Sequence, residues 1–269
     1  MGRIAATFEA LKGRGEKALI PYVTAGDPDL ETTERIIHAL VANGADLIEL
    51  GVPFSDPMAD GPTIQAASIR ALTSGTTLAG VLDLVRRVRE HTNIPIILMG
   101  YYNPVFKFGL ELFAREASEA GVDGVLLVDL PYEENAELRS FLQPAGIACI
   151  TLLAPTSPPE RRRKLAAEAE GFIYYVSMTG VTGSARVDPS VVAPEVSELR
   201  DHAVVPVAVG FGISSAEDAA AVARFADAVV VGSALVKIIE AYGHSPDMLE
   251  HVGEYVASLK AGIAQEVRR

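Results

Sequence analysis

The chain has 269 residues, 49% of them hydrophobic, and a formal net charge of -12. That charge argues against nucleic acid as a partner, because phosphate backbones attract basic surfaces, but it leaves room for a small phosphorylated ligand held locally. The single cysteine, Cys149, excludes an internal disulfide and points to a reducing compartment. With no secretory pattern and no apolar run of transmembrane length, the chain reads as cytoplasmic, with no membrane partner.

In chain order, Ile4–Leu11 has the spacing of a short amphipathic helix that stops at Gly13 and Gly15 and covers one end of the fold. Ala18–Tyr22 reads as strand one, Thr24–Pro28 as its loop, and Leu30–Ala42 as a helix ended by Gly44. Leu47–Leu50 is the second strand, an apolar run interrupted by Glu49. A carboxylate there is costly to bury as an anion, so its pKa rises or it finds a donor. The loop that follows, kept irregular by Gly51, Pro53, Pro57, Gly61 and Pro62, carries Asp56 and Asp60. Asp60 lies eleven positions after Glu49, so only a loop folding back over the strand end can pair them. One acid in an apolar setting beside one in a wetter loop suits acid–base chemistry. The plainer readings are a structural ion pair for Glu49 and turn chemistry for Asp60 and Asp56.

Further strand-like runs occur at Ile96–Met99, Val125–Val128, Ala148–Leu152, Phe172–Val176, Val205–Val209 and Ala228–Val231. Helical patterns lie between most of them, at Thr63–Leu72, Leu78–His91, Leu110–Ala120, Glu133–Leu142, Glu160–Ala169, Val191–Leu199 and Ala216–Ala223. Eight strands alternating with helices predict an α/β fold, a (β/α)8 TIM barrel with an extra N-terminal helix, and one domain over residues 1–269. No Gly-x-Gly-x-x-Gly follows strand one and no Walker A motif occurs, which weakens dinucleotide and nucleotide readings.

Barrel chemistry sits at the C-terminal strand ends. These carry Tyr22 and Thr24, Glu49, Tyr101 and Asn103, Asp129, Tyr174 and Tyr175, Gly210–Ser214, and Gly232-Ser233. Glycines at the last strand ends, with the following helix starts, make an anion site in a barrel's usual phosphate position. Gly212-Ile213-Ser214 and Gly232-Ser233 fit it, and Gly183-Ser184 is placed to join; ordinary turns and N-caps are the alternative. The loop from Ser177 to about Pro189, rich in Gly, Thr and Ser, is a candidate lid. Cys149, in an apolar run, reads as core rather than nucleophile.

These motifs closely resemble the α-subunit family of tryptophan synthase over essentially the whole chain. The most specific are Glu49–Pro62 and Gly180–Gly183, supported by Pro21–Pro28 and Gly210–Ile213. The resemblance implies cleavage of indole-3-glycerol phosphate to indole and glyceraldehyde 3-phosphate. It implies Glu49 as the acid–base group, Asp60 as partner of the ring N–H and Tyr174 as an aid to positioning. Tyr22, Leu126, Val128, Leu152 and Phe211 become the indole walls. Gly183, Gly212, Ile213, Gly232 and Ser233 become the phosphate cradle, and Thr182 the lid residue that closes against Asp60. It further implies no metal or cofactor in this chain, and a β subunit carrying pyridoxal phosphate in an α2β2 assembly, faced by Pro53, Asp56 and Pro57. Met178 departs from relatives that carry arginine at the lid entrance. Phosphosugar barrels of the histidine-synthesis type use opposed aspartates and half-barrel repetition, and no convincing repeat is seen here. A stand-alone indole-releasing lyase shares every motif, whereas a non-catalytic activator is disfavoured by retention of Glu49 and Asp60.

Overall fold

The computed structural model describes residues 1–176, 189–210 and 212–267. Eight parallel strands close into a barrel in chain order: β1 Ala18–Thr24, β2 Ile48–Gly51, β3 Ile96–Gly100, β4 Gly124–Leu127, β5 Ala148–Leu153, β6 Glu170–Val176, β7 Val207–Gly210 and β8 Ala228–Val231. β8 pairs back onto β1, with Ala18 beside Ala228 and Pro21 beside Val231. The helices are α1 Arg3–Gly13, α2 Leu30–Ala42, α3 Pro62–Thr73, α4 Leu78–Arg89, α5 Tyr102–Phe108, α6 Leu110–Ala120, α7 Ala136–Leu142, α8 Pro159–Glu168, α9 Pro189–His202, α10 Ala216–Ala223, α11 Ser233–Tyr242 and α12 Met248–Val267. No described helix is long and apolar enough to cross a membrane.

Each strand is buried on both faces, so alternate residues feed two cores. In β1, Leu19 and Val23 join the shell between sheet and helices. Ala18 and Ile20 point into the barrel with Leu47, Ile97, Leu126, Ile150 and Phe172. That interior is closed at the N-terminal strand ends by α1, whose Ile4, Phe8 and Leu11 are buried in it; Phe8 and Phe172 have ring centroids 6.1 Å apart. The helix expected to cover one end does so, and leaves the C-terminal end for the site.

Differences from the predicted elements have local causes. β7 starts at Val207 rather than Val205, because Pro206 has no N–H for a sheet ladder; its carbonyl accepts from Ile173 N instead. Glu133–Leu142 divides into a 3-10 turn, Tyr132–Glu134, and α7. α5, α11 and α12 have no counterpart among the predicted elements. α12 packs on α10 and α2, and so joins the last units of the helical ring to the first.

An ion cluster ties the N-terminal face together. Buried Asp123 accepts from Arg89 Nη2 at 2.5 Å, Arg3 Nη1 at 3.0 Å and Ile96 N at 2.9 Å, linking α4, α1 and β3. Removing one partner of a buried pair leaves the other charge uncompensated. Asp123→Ala is therefore expected to cost about 3 kcal/mol; an unchanged urea midpoint would show the cluster to be dispensable.

Candidate active site

Glu49 sits in β2 with Tyr22 of β1 and Ile97 of β3 in register on either side. The residue is 2% exposed, and its Oε1 has no hydrogen-bond partner. Among the described residues no cation pairs with it, so the structural ion-pair reading fails. Burial, reinforced by the nearby Asp60 charge, pushes its pKa up to about 8. Glu49 is thus predominantly a neutral carboxylic acid at neutral pH, ready to give a proton.

Asp60 lies in the β2–α3 loop and is 8% exposed. Its Oδ2 accepts from Tyr101 Oη at 3.0 Å, and that phenol oxygen accepts from Ala59 N at 2.9 Å. Gln65 Nε2 donates to the Asp60 carbonyl at 2.8 Å, and Asp60 N to the Pro57 carbonyl at 3.1 Å. Burial raises the Asp60 pKa and the Tyr101 hydrogen bond opposes it. The carboxylate reaches across 41 residues rather than to its own turn, and the N-cap of α3 is Gly61 without a side-chain bond. A turn-only role does not describe it. The exposed Asp56 does make the local contact of a turn, accepting from Ser55 Oγ at 2.6 Å.

Two tyrosines complete this group. Tyr22 Oη lies 3.1 Å from Thr24 Oγ1, and its pKa is raised by burial, Asp60 and Glu49. The Tyr174 phenol is raised by burial, then by Glu49, Tyr22 and Asp60, so all four side chains lie within one electrostatic neighbourhood. Room for the tyrosines comes from glycines on the next strands. A Cβ at Gly51 would overlap the Tyr22 hydroxyl, and one at Gly210 the Tyr174 hydroxyl. Gly51 belongs to β2 and serves this close approach, where the sequence had suggested only a strand stop.

The predicted apolar walls divide between two clusters. Leu126, Val128, Leu152 and Tyr174 share the barrel interior. Tyr22 packs beside it against Ile64, Ala67 and Val236 of α3 and α11, and Met99, unassigned from sequence, touches both clusters. Tyr101 was placed at a strand end by the sequence, but its bond to Asp60 had no sequence signal. Phe211, Thr182, Gly183 and Met178 lie outside the described residues.

The two glycine-rich strand ends differ. Gly212 has φ +74 and is followed by buried Ile213. Ser214 N, Ser214 Oγ and Ser215 N all donate to Asp218 Oδ2 at 3.0–3.1 Å, and Ser215 caps α10, so a carboxylate already occupies that helix start. Gly232, the N-cap of α11, supplies no side-chain cap, which leaves the first turn at Ser233 with its amide groups as donors for an anion. In the partner-facing loop Pro53 is buried, Pro57 half-buried and Asp56 exposed. Among the described residues no group of three or more His, Cys, Asp and Glu is placed to hold a metal ion.

A closed (β/α)8 barrel with a neutral buried acid at its C-terminal end and an uncapped helix after its last strand has the form of a lyase barrel working by proton transfer. The family model described as tryptophan synthase alpha chain matches residues 8–264, and the chain belongs to that family. It is 57% identical over 263 residues to the tryptophan synthase alpha chain of Geotalea uraniireducens (strain Rf4), covering 98% of each chain. It is 55% identical over 268 residues to that of Citrifermentans bemidjiense, covering both completely. The solved tryptophan synthase subunit alpha of Legionella pneumophila str. Paris superposes with a TM-score of 0.91 at 43% identity, over 98% of this chain and 99% of that one. The chain is accordingly a lyase of tryptophan biosynthesis that catalyses the alpha reaction.

Proposed function

We propose that Glu49 carries the proton transfers of indole-3-glycerol phosphate cleavage, with Asp60 stabilising the ring as charge develops. The observation that carries this is the Glu49 carboxyl, buried without a partner at Oε1 and protonated at neutral pH. Indole is a poor leaving group as a carbanion. A proton from Glu49 to ring carbon C3 gives an indolenine-like cation. The ionised Glu49 then takes the proton of the adjacent glycerol hydroxyl. The C–C bond breaks, its electron pair returns to the ring, the hydroxyl carbon becomes the aldehyde, and Glu49 ends as it began. Asp60 accepts the ring N–H as positive charge grows there, and a fixed anion aimed at developing charge is where such a site gains most. Tyr174 positions the pocket. Leu126, Val128 and Leu152 with Tyr22 wall the indole, Phe211 joins them, and Thr182 closes the lid. The phosphate lies at Gly232-Ser233 with Gly212, Ile213 and Gly183.

The same reading makes residues 1–269 one domain that uses no metal or organic cofactor of its own. Membership of the family implies a β-subunit partner. We place its docking face at Pro53, Asp56 and Pro57, with an α2β2 assembly in which the β subunit holds pyridoxal phosphate. Met58, 89% exposed in the same loop, and Phe106, 59% exposed on α5 after the adjacent strand, supply apolar surface for such a contact.

Indole release from indole-3-glycerol phosphate, with and without a β subunit, tests the function; none from folded protein under either condition refutes it. Glycerol 3-phosphate tests the anion site separately. At about 100 times its Kd it should stabilise the fold by roughly 2.7 kcal/mol, a rise of about 5–10 °C in Tm for a chain of this size. No rise at saturating concentration would remove the site from α11.

A further inference from the structure

The barrel wall is not equally closed all round. β4 pairs with β3 as far as Gly100 beside Leu127, and β5 with β6 as far as Leu153 beside Tyr175. β4 and β5 pair only at Gly124 with Ala148 and Val125 with Cys149, a register as short as that of β7 with β8. No ladder pair joins their C-terminal halves, at the end of the barrel where the site lies. A cavity of about 230 Å³ lies against this stretch, between the two strands and residues of the following helices such as Arg161 and Leu165. Val128 and Leu152 line this cavity and also belong to the interior cluster with Leu126 and Tyr174. Leu127 and Cys149 line it from the outer shell, and Arg161, held by Glu133 at 2.9 and 3.0 Å, stands at the rim. Val128 and Leu152, with Ile150 nearer the start of β5, therefore stand between the barrel interior and the cavity outside it.

We propose that this β4–β5 crevice is a side pocket for substituents on the benzene ring of the substrate, an inference that rests on the function proposed above. A methyl group or chlorine atom is comparable to one water's share of liquid, roughly 30 Å³, far less than the space available. In a wall paired along its whole length, such a group would overpack the interior. Here Val128 and Leu152 have room behind them to yield. The cavity is mixed in lining, with buried Thr151 and Asn135 and charged Asp129 and Arg161, but the side chains a ring substituent meets first, Val128 and Leu152, are apolar, so it takes methyl and halogen groups before charged ones.

The test is cleavage of a series of indole-3-glycerol phosphates carrying one methyl or chlorine at each benzene-ring position, with the parent compound as reference. At one position or more, wild type should keep kcat/KM within about tenfold of the parent. Cys149→Leu, which fills the crevice from its outer side, should lose about tenfold or more on that compound and leave the parent within about twofold. Leu127→Ala, which widens it, should shift the ratio in favour of chlorine. The second variant and thermal melting keep the test valid if the first packs badly. A ratio of substituted to parent rate unchanged in both variants, or rejection of every position by wild type, overturns the crevice alone. No cleavage of the parent by folded wild type removes the function, and the crevice with it.

Discussion

Glu49→Gln is expected to lower turnover by on the order of 10³-fold or more while the barrel stays folded. The amide keeps the shape of the side chain and removes its exchangeable acid proton, so both proton transfers assigned to this residue are lost together. The same group predicts a pH profile. With a pKa of about 8, wild-type kcat/KM should fall on the alkaline side of that value, as the acid form disappears. It also predicts stability. Between 4.5 and about 8 the folded chain holds a proton that the unfolded chain has released, so stability falls as pH rises through that window. At about 1.4 kcal/mol per unit the ceiling is roughly 5 kcal/mol. Glu49→Gln should flatten this slope, so that the variant gains on wild type between pH 5 and 9 as read by urea midpoints. Near-normal turnover, or parallel pH curves for the two proteins, would take Glu49 out of the mechanism.

Asp60→Asn should cost about 10²–10³-fold in turnover. The asparagine oxygen still accepts from the Tyr101 hydroxyl, so the loop keeps its anchor and only the negative charge is lost. Tyr101→Phe makes the opposite change, leaving the charge and releasing its anchor. If charge is what matters, the asparagine variant loses kcat and the phenylalanine variant mainly raises KM. A loss of only a few fold in Asp60→Asn would return this residue to a part in loop structure.

The strands and most helices were legible because burial on one or both faces leaves a period in the sequence. α2, α6 and α10 begin and end where their apolar spacing puts them. α5 is too short, at 7 residues, to show a period, and Pro104 and Gly109 sit within or beside it. α12 does carry the pattern, in Val252, Val256, Leu259 and Ile263, but counting eight strands gives no reason to look beyond the last. In the site, Glu49 was legible because a carboxylate inside an apolar strand has few innocent explanations. The Tyr101–Asp60 bond was not, since no local rule joins residues 41 apart. Nor was the occupation of the α10 start by Asp218, which leaves α11, of these two helices, with the open start.

The two tyrosine–glycine contacts bind the evolutionary fates of neighbouring strands. Tyr22 leans across Gly51 and Tyr174 across Gly210, each phenol filling the volume that a methyl group on the glycine would need. Neither member of a pair is free to drift alone. A larger residue at Gly210 displaces the ring at Tyr174, and so damages the pocket without touching substrate. Shrinking Tyr174 at the same time returns the space, so two changes that are harmful singly become tolerable together. The route by which this barrel explores new pockets is therefore paired, one step on β6 matched by one on β7.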